Sequence, residues 1–340
     1  MEKIFITAGD INGIGNELIL KFIASKKDRS ENAYIVIGSR RVFDRTAEIL
    51  NLGKADIKDA AKKDISQIDR PGFYFHDIPS PKLKIEFGEA AAGAGRLSGI
   101  AIEKGVELAS EYGGALVTCP INKYSLHLGG FKYPGHTELI AEILRTNDFL
   151  MILDGGIIKV ALVTTHLALK DVSSALNTDS IFNKGRLLYQ SLRNDYGITE
   201  PKIAVCSLNP HAGDSGLFGD EEEKVIFPAV ERLNREISRG EGGFLGPLPS
   251  DTIFTQTFIK NTDAHLVMYH DQGLIPLKLL SFGHAVNFTA GLKIVRTSPD
   301  HGTAYDIAGK GIAETGSFQN AVKMAELFLK NRKIMNRPGS

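Results

Sequence analysis

Short apolar runs recur along the chain at residues 3–7, 33–38, 114–118, 159–164, 202–208 and 264–269. Each has the length of a buried strand, about five residues. Between them lie segments with helical spacing of apolar positions, at 17–27, 90–109, 137–144, 179–194, 221–237 and 317–329. Strand followed by helix, repeated, predicts an α/β fold whose parallel or mixed sheets are covered on both faces. Residues 54–69 are rich in charge and read as a surface connection without chemistry.

Polar residues gather just after the predicted strands. Asp10 follows the first run, Asn122 and Lys123 the third, His166 the fourth, Asn209 and His211 the fifth, and His270 and Asp271 the sixth. In open α/β folds the carboxyl ends of strands carry the ligands. With 340 residues, two domains are expected.

Composition narrows the function classes. Lys plus Arg equals Asp plus Glu at 40 each, so no basic surplus draws the chain to nucleic acid or an anionic membrane. Apolar stretches such as 157–163 fall far short of the roughly 20 residues that a membrane span needs. MEKIFITAGD lacks a secretory core, and Cys119 and Cys206 are too few for a disulfide framework; a reducing cytoplasm is the expected compartment.

The histidines carry most of the local signal: His136 in YPGHTE, His166 in VTTHLAL, His211 in LNPHAGDSG and His270 in MYHDQG. Neutral imidazole suits zinc and other borderline divalent metals, and three protein ligands leave a position open. His166, His211 and His270 could form such a site; their spacing equally fits structural or isolated catalytic histidines. Asp271 and Asp214 are candidates to orient a ligating imidazole or to cap a turn. Lys278 and Arg296 sit among apolar residues, where a cation is costly to bury without an anion, so each is a candidate for phosphate or carboxylate unless it snorkels or pairs within the fold.

ITAGDINGIGNE follows a strand like an anion loop but fits neither common phosphate-loop pattern, so a plain strand-to-helix turn is its alternative. HGTAYDIAGKG, from His301, could hold a ribose and adenine, or could be a helix with a glycine stop. His76, His127, His265 and His284 read as core or surface residues, and Cys119 as a small buried residue.

Taken in order, TAGDINGIGNE, CPINK, YPGHTE, TTHLAL, LNPHAGDSG, GPLPSDT, MYHDQG, LKLLSFG, VNFT and RTSPDHGTAYDIAGKG resemble the 4-hydroxythreonine-4-phosphate dehydrogenase family over almost the whole chain. The resemblance implies two α/β/α domains around a central cleft, similar to isocitrate and isopropylmalate dehydrogenases rather than an ordinary Rossmann fold. Domains of 1–135 plus 295–340, and of 136–294, are expected. It implies a homodimer with shared active sites, NAD, a divalent cation (zinc, magnesium, cobalt or manganese) and a phosphorylated small-molecule substrate. His136, Thr137, Lys278, Asn287 and Arg296 would bind that substrate. His136 and Asp251 would be catalytic, and His166, His211 and His270 would hold the metal. Asp10, Gly13, Gly15, His301, Gly302, Thr303 and Asp306 would bind NAD.

The implied reaction is NAD-dependent oxidation and decarboxylation of 4-phosphooxy-L-threonine to 3-amino-2-oxopropyl phosphate. The alternatives are a D-threonate or D-erythronate 4-phosphate dehydrogenase, and a nucleotide-binding regulator without turnover. The chain also departs from the family. Its opening usually reads like TPGDPAGIGPE, whereas Ala8, Ile11, Asn12 and Asn16 stand here, and Cys119 replaces the glycine of TGPxxK.

Overall fold

The computed structural model describes residues 1–26, 30–80, 82–237 and 242–335, so the end of the predicted 17–27 helix, Lys27, lies outside the described residues. The chain divides into two units, Met1–Asn147 with Leu292–Leu329, and Asp148–Gly291 with Lys330 onward. Both are α/β.

Among the described residues of the first unit, six parallel strands run in the order β3, β4, β2, β1, β5, β12. They are β1 (Lys3–Thr7), β2 (Ala33–Gly38), β3 (Lys58–Asp59), β4 (Gly72–Asp77), β5 (Ala115–Thr118) and β12 (Val295–Pro299). The predicted surface connection at 54–69 therefore contributes the edge strand β3 and a short helix, Lys62–Ile65. Continuous apolar runs suit strands covered on both faces, and every residue of AYIVIG in β2 is buried. The Ala92–Tyr112 helix packs over β1 and β2. Its Gly95 and Gly99 permit a close crossing, because a Cβ at Gly95 would lie 1.7 Å from the Ser125 carbonyl oxygen and one at Gly99 would lie 2.2 Å from the Phe131 ring.

Late residues complete this core. Phe318 packs edge-on to Phe22 at 5.7 Å between ring centroids, Phe22 in turn meets Tyr34 at 5.4 Å, and the Tyr34 hydroxyl donates to Glu326 at 2.5 Å. Such aromatic pairs contribute about 0.5–1.5 kcal/mol beyond the area they bury.

In the second unit the order is β11, β6, β7, β10, β8, β9. The strands are β6 (Leu150–Asp154), β7 (Lys159–Leu162), β8 (Lys202–Cys206), β9 (Gly243–Leu248), β10 (Ala264–Val267) and β11 (Val286–Ala290). β7, β10, β8 and β9 are mutually parallel, while β6 runs antiparallel to both β7 and β11. Helices Thr178–Asn194 and His270–Ser281 cover this sheet.

The borders differ from 135/136 and 294/295. Helix His136–Ile143 belongs to the first unit because Leu139, Ile140 and Ala141 are buried and the helix packs against Ala92–Tyr112. Residues from Lys330 join the second unit, where Arg332 Nε bonds Asp195 Oδ1 at 2.5 Å and Asn331 donates to the Asp195 carbonyl at 2.6 Å. Among the described residues no helix is long and apolar enough to cross a membrane.

Candidate functional site

Each unit collects candidate residues at the carboxyl ends of its strands. In the first, β1 runs into Gly9 and Asp10, and Asp10 is fully buried. Its Oδ2 accepts from the Tyr305 hydroxyl at 2.9 Å and its Oδ1 from the Asn12 amide at 2.9 Å. Burial raises the Asp10 pKa, and these hydrogen bonds oppose the rise. The Ile14 amide donates to the Thr303 carbonyl at 3.1 Å, and a Cβ at Gly13 would lie 2.8 Å from that oxygen. A Cβ at Gly15 would meet the Ala8 carbonyl at 2.2 Å. Asp10, Gly13 and Gly15 are thus enclosed by protein, the first two against the loop that begins at His301.

That loop is held at its far end too. Lys21 donates to the carbonyls of Gly311 (2.9 Å) and Ala313 (2.8 Å), while buried Glu17 accepts from the Ala313 amide and from Lys21, each at 2.7 Å. Along this loop Gly302 and Asp306 are exposed, and a side chain at Gly302 would meet open space. His301 places Nδ1 3.0 Å from the Gly302 carbonyl, and among the described residues its buried Nε2 has no hydrogen-bond partner. His301, Gly302, Thr303 and Asp306 therefore share one loop pinned at both ends.

β12 delivers Arg296 and the first turn of helix His136–Ile143 delivers His136 and Thr137. Arg296 is 2% exposed and donates to the Thr118 hydroxyl at 2.7 Å. Desolvation brings its pKa down to about 10, so the guanidinium stays charged at neutral pH. His136 is pushed well below the usual imidazole range by burial, then by the positive charges of Arg296 and Lys123, against a hydrogen bond with the Cys119 backbone. Its Nε2 is buried with no partner among the described residues. A neutral imidazole with one uncommitted nitrogen, in the field of a buried cation, suits an anionic or hydroxylated ligand. Cys119 is buried, its thiol pKa raised by desolvation, as its reading as a small packed residue requires.

In the second unit β7, β10 and β8 lie side by side and lead into His166, His270 and His211. The rings of His166 and His270 are 6.0 Å apart and line a cavity of about 420 Å³ with Thr165, Tyr269 and Asp271. His270 Nδ1 is 2.6 Å from Asp271 Oδ1, the orienting contact rather than the cap. His211 is exposed, with its ring beside Phe218 at 6.3 Å. Among the described residues of one chain, no three metal-capable side chains gather.

His211 opens an unusual turn. Its φ is 53°, and Ala212 (54°), Gly213 (79°), Asp214 (43°), Ser215 (60°) and Gly216 (91°) continue in the left-handed region. Left-handed L-residues cost about 1–2 kcal/mol each, so the surroundings must impose this conformation. Buried Glu222 accepts from the Leu208 amide (2.7 Å), the Asn209 amide (2.8 Å) and the Asn209 side chain (3.0 Å). Glu221 accepts from the Asn209 side chain at 2.7 Å and from Ser173 at 2.6 Å. Asp214 is a turn residue here, its amide bonded to the His211 carbonyl.

Lys278 is exposed on the His270–Ser281 helix and lines a cavity of about 460 Å³ with His270, Asp271, Leu274 and Ile275. Asn287 lies in β11 with a buried Oδ1 that has no partner among the described residues. Asp251 is exposed in the first turn of helix Ser250–Ile253. Sequence reasoning missed Gln272, whose Nε2 reaches the Ser207 carbonyl and the Ser250 hydroxyl, each at 2.7 Å, while its Oε1 accepts from the Met268 amide at 2.7 Å. It ties together the ends of β8 and β10; an amide placed two residues after His270 in MYHDQG was the available signal. His76 and His265 are structural, bonded to the carbonyls of Ala60 and Ile253.

A two-unit α/β protein with a pinned glycine loop, a buried Arg–His pair and histidines at neighbouring strand ends has the parts of a dehydrogenase acting on a small anionic substrate. The family model of the pyridoxal phosphate biosynthetic protein PdxA matches residues 30–325, and the chain belongs to that family. It is 39% identical to a 4-hydroxythreonine-4-phosphate dehydrogenase of Sulfurihydrogenibium sp. (strain YO3AOP1), over 98% of this chain and 100% of the relative. An Oceanobacillus iheyensis relative whose name proposes a D-threonate 4-phosphate dehydrogenase is 38% identical, over 94% and 96% of the two chains. The crystal structure of 4-hydroxythreonine-4-phosphate dehydrogenase from Klebsiella pneumoniae superposes with a TM-score of 0.85 at 37% identity, covering 97% of this chain and 98% of that one.

Proposed function

We propose that the chain is an NAD-dependent dehydrogenase that oxidises and decarboxylates 4-phosphooxy-L-threonine to 3-amino-2-oxopropyl phosphate in pyridoxal phosphate biosynthesis. The observation that carries this reading is the full-length match to 4-hydroxythreonine-4-phosphate dehydrogenases in both sequence and structure. The kinship in fold with isocitrate and isopropylmalate dehydrogenases, suggested by HGTAYDIAGKG, belongs to the same reading.

On this reading His136, Thr137 and Arg296 bind the substrate, Arg296 through a fixed positive charge and His136 through a neutral imidazole that could also move a proton. Lys278 and Asn287 are further substrate-binding candidates, and Asp251 is the catalytic candidate. Hydride passes from the carbinol carbon to NAD+, and the hydroxyl proton is released. The resulting β-keto acid loses carbon dioxide as the C–C electron pair moves onto the ketone, and protonation of the enolate gives the product. Arg296 and Lys278 hold the anionic ends through both steps. His301, Gly302, Thr303 and Asp306 would contact NAD, with Asp10 and Gly13 packed against their loop and Gly15 against Ala8.

The histidines fit a divalent cation of the zinc, cobalt, manganese or magnesium kind: two imidazoles come within one cavity, and the second of them is oriented by a carboxylate. His166, His211 and His270 would hold it, the set being completed between two copies of the chain. An ion bound there lowers the cost of ionising a coordinated hydroxyl and of developing negative charge on the same oxygen. Exposed Ile275 and Leu279, on the helix that carries Lys278, and Phe282 just past its end support a homodimer with shared sites. Two free, buried cysteines agree with a cytoplasmic location.

The test is NADH formation by purified, metal-supplemented protein with NAD+ and 4-phosphooxy-L-threonine, beside D-threonate and D-erythronate 4-phosphates. Preferential turnover of the first compound supports the reading. Preference for D-threonate 4-phosphate, which the Oceanobacillus relative suggests as the second reading, would replace it.

A further inference from the structure

We propose that Asn12, one of the positions where this chain leaves its family's usual opening, is a positioning residue for the dinucleotide, acting through the 86–89 turn on the loop from Thr303 to Gly309. The inference rests on the reading of that loop as the NAD loop.

Asn12 is 0% exposed, so it acts only through neighbours. Its Oδ1 accepts from the Glu86 amide at 2.8 Å, and its Nδ2 donates to the Glu89 carbonyl at 2.8 Å. Its own carbonyl accepts from the Gly88 amide at 2.9 Å, and its amide donates to Asp10. The turn is closed by the Glu89 amide on the Glu86 carbonyl at 3.0 Å. A single side-chain amide thus satisfies a donor at one end of the turn and an acceptor at the other. The alanine of the family's usual opening offers neither.

The turn in turn supports the loop. A Cβ at Gly88 would lie 3.0 Å from the Tyr305 carbonyl, and one at Gly309 would lie 2.6 Å from the Phe87 ring. Tyr305 returns to Asp10 through its hydroxyl, two residues from Asn12. The circuit runs Asp10, Asn12, the 86–89 turn, Tyr305, and back to Asp10. Asn12 is the only link in it that grips the turn by a side chain among the described residues. A loop fixed before the ligand arrives loses less conformational entropy on binding, so the effect should fall on dinucleotide affinity and spare the chemical step.

The experiment uses the full chain with NADH fluorescence titration, steady-state kinetics and amide hydrogen exchange. Asn12→Ala should raise the NADH Kd and the KM for NAD+ about ten-fold, the size expected if binding must order about one more loop residue. It should also leave kcat at saturating NAD+ and the KM of the phosphorylated substrate within about two-fold, and speed exchange at 303–309. Phe87→Ala, which keeps the hydrogen bonds but removes the packing on Gly309, should give the same NAD-only defect and serves if Asn12→Ala does not fold. Asp306→Ala, on the exposed part of the loop, reports on the loop itself. Weaker NADH binding by Asp306→Ala with unchanged binding by Asn12→Ala or Phe87→Ala overturns the role of Asn12 and leaves the NAD loop standing. Unchanged binding in all three variants removes the loop reading, and the proposal with it.

Discussion

Asp271 Oδ1 stands 2.6 Å from His270 Nδ1, which leaves Nε2 as the nitrogen free to meet a ligand. The carboxylate fixes the imidazole's tautomer and orientation, a role whose loss in metal sites costs about 10–100-fold in affinity. Asp271→Asn should therefore weaken divalent-cation binding by about that factor in a calorimetric titration, with little change in thermal stability. Unchanged affinity would remove His270 from the proposed ligand set.

Glu222 and Asn209 lead to a second prediction. Glu222→Gln places an amide donor where Asn209 Nδ2 now donates to a carboxylate oxygen. The clash releases the turn that begins at His211. Urea denaturation should register a loss of about 1–3 kcal/mol, the cost of leaving buried polar groups unsatisfied. Cation affinity should fall as well, since His211 would lose its fixed position.

The depressed pKa of His136 gives a pH dependence whose sign is fixed. Below about 6.5, the ordinary imidazole value, the unfolded chain takes up a proton that the folded site refuses. The stability contributed by neutral His136 is thus fully present above that pH and declines as the pH falls beneath it. Thermal midpoints of the wild type should drop more steeply between about pH 6.5 and 5.5 than those of His136→Gln. Parallel curves would show that His136 is not held neutral.

Arg296 allows a test of substrate binding. Lysine keeps the charge but loses the fork that reaches the Thr118 hydroxyl. Arg296→Lys should lower kcat/KM for the phosphorylated substrate about ten- to hundred-fold, the range expected for one charge-assisted hydrogen bond, and leave NADH affinity unchanged. A loss confined to NAD+ would place Arg296 elsewhere in the mechanism.

The strands KIFIT and AYIVIG were legible because a parallel sheet covered on both faces demands unbroken apolar runs. β9 was harder to read, its GFLGPL interrupted by glycine and proline. The 221–237 helix is two pieces, a π turn at Glu222–Ile226 and then Phe227–Glu236, with Pro228 at the junction unable to donate to the helical ladder. His166 and His270 follow strands that are adjacent in the sheet, so position after a strand was enough to pair them. Asn12 bonds to backbone atoms 74 and 77 residues away, and a backbone partner leaves no mark in the sequence. The same holds for Glu222 and the two amides it accepts from.

From His211 to Gly216 the chain coils with the opposite hand to every helix around it. In that stretch the mirror-image amino acid is the natural tenant: D-alanine at position 212 would rest where L-alanine is forced. A chain assembled with that one inverted centre should hold the turn without the full grip of Glu222, so handedness itself could be used to separate the shape of the turn from the clasp that imposes it.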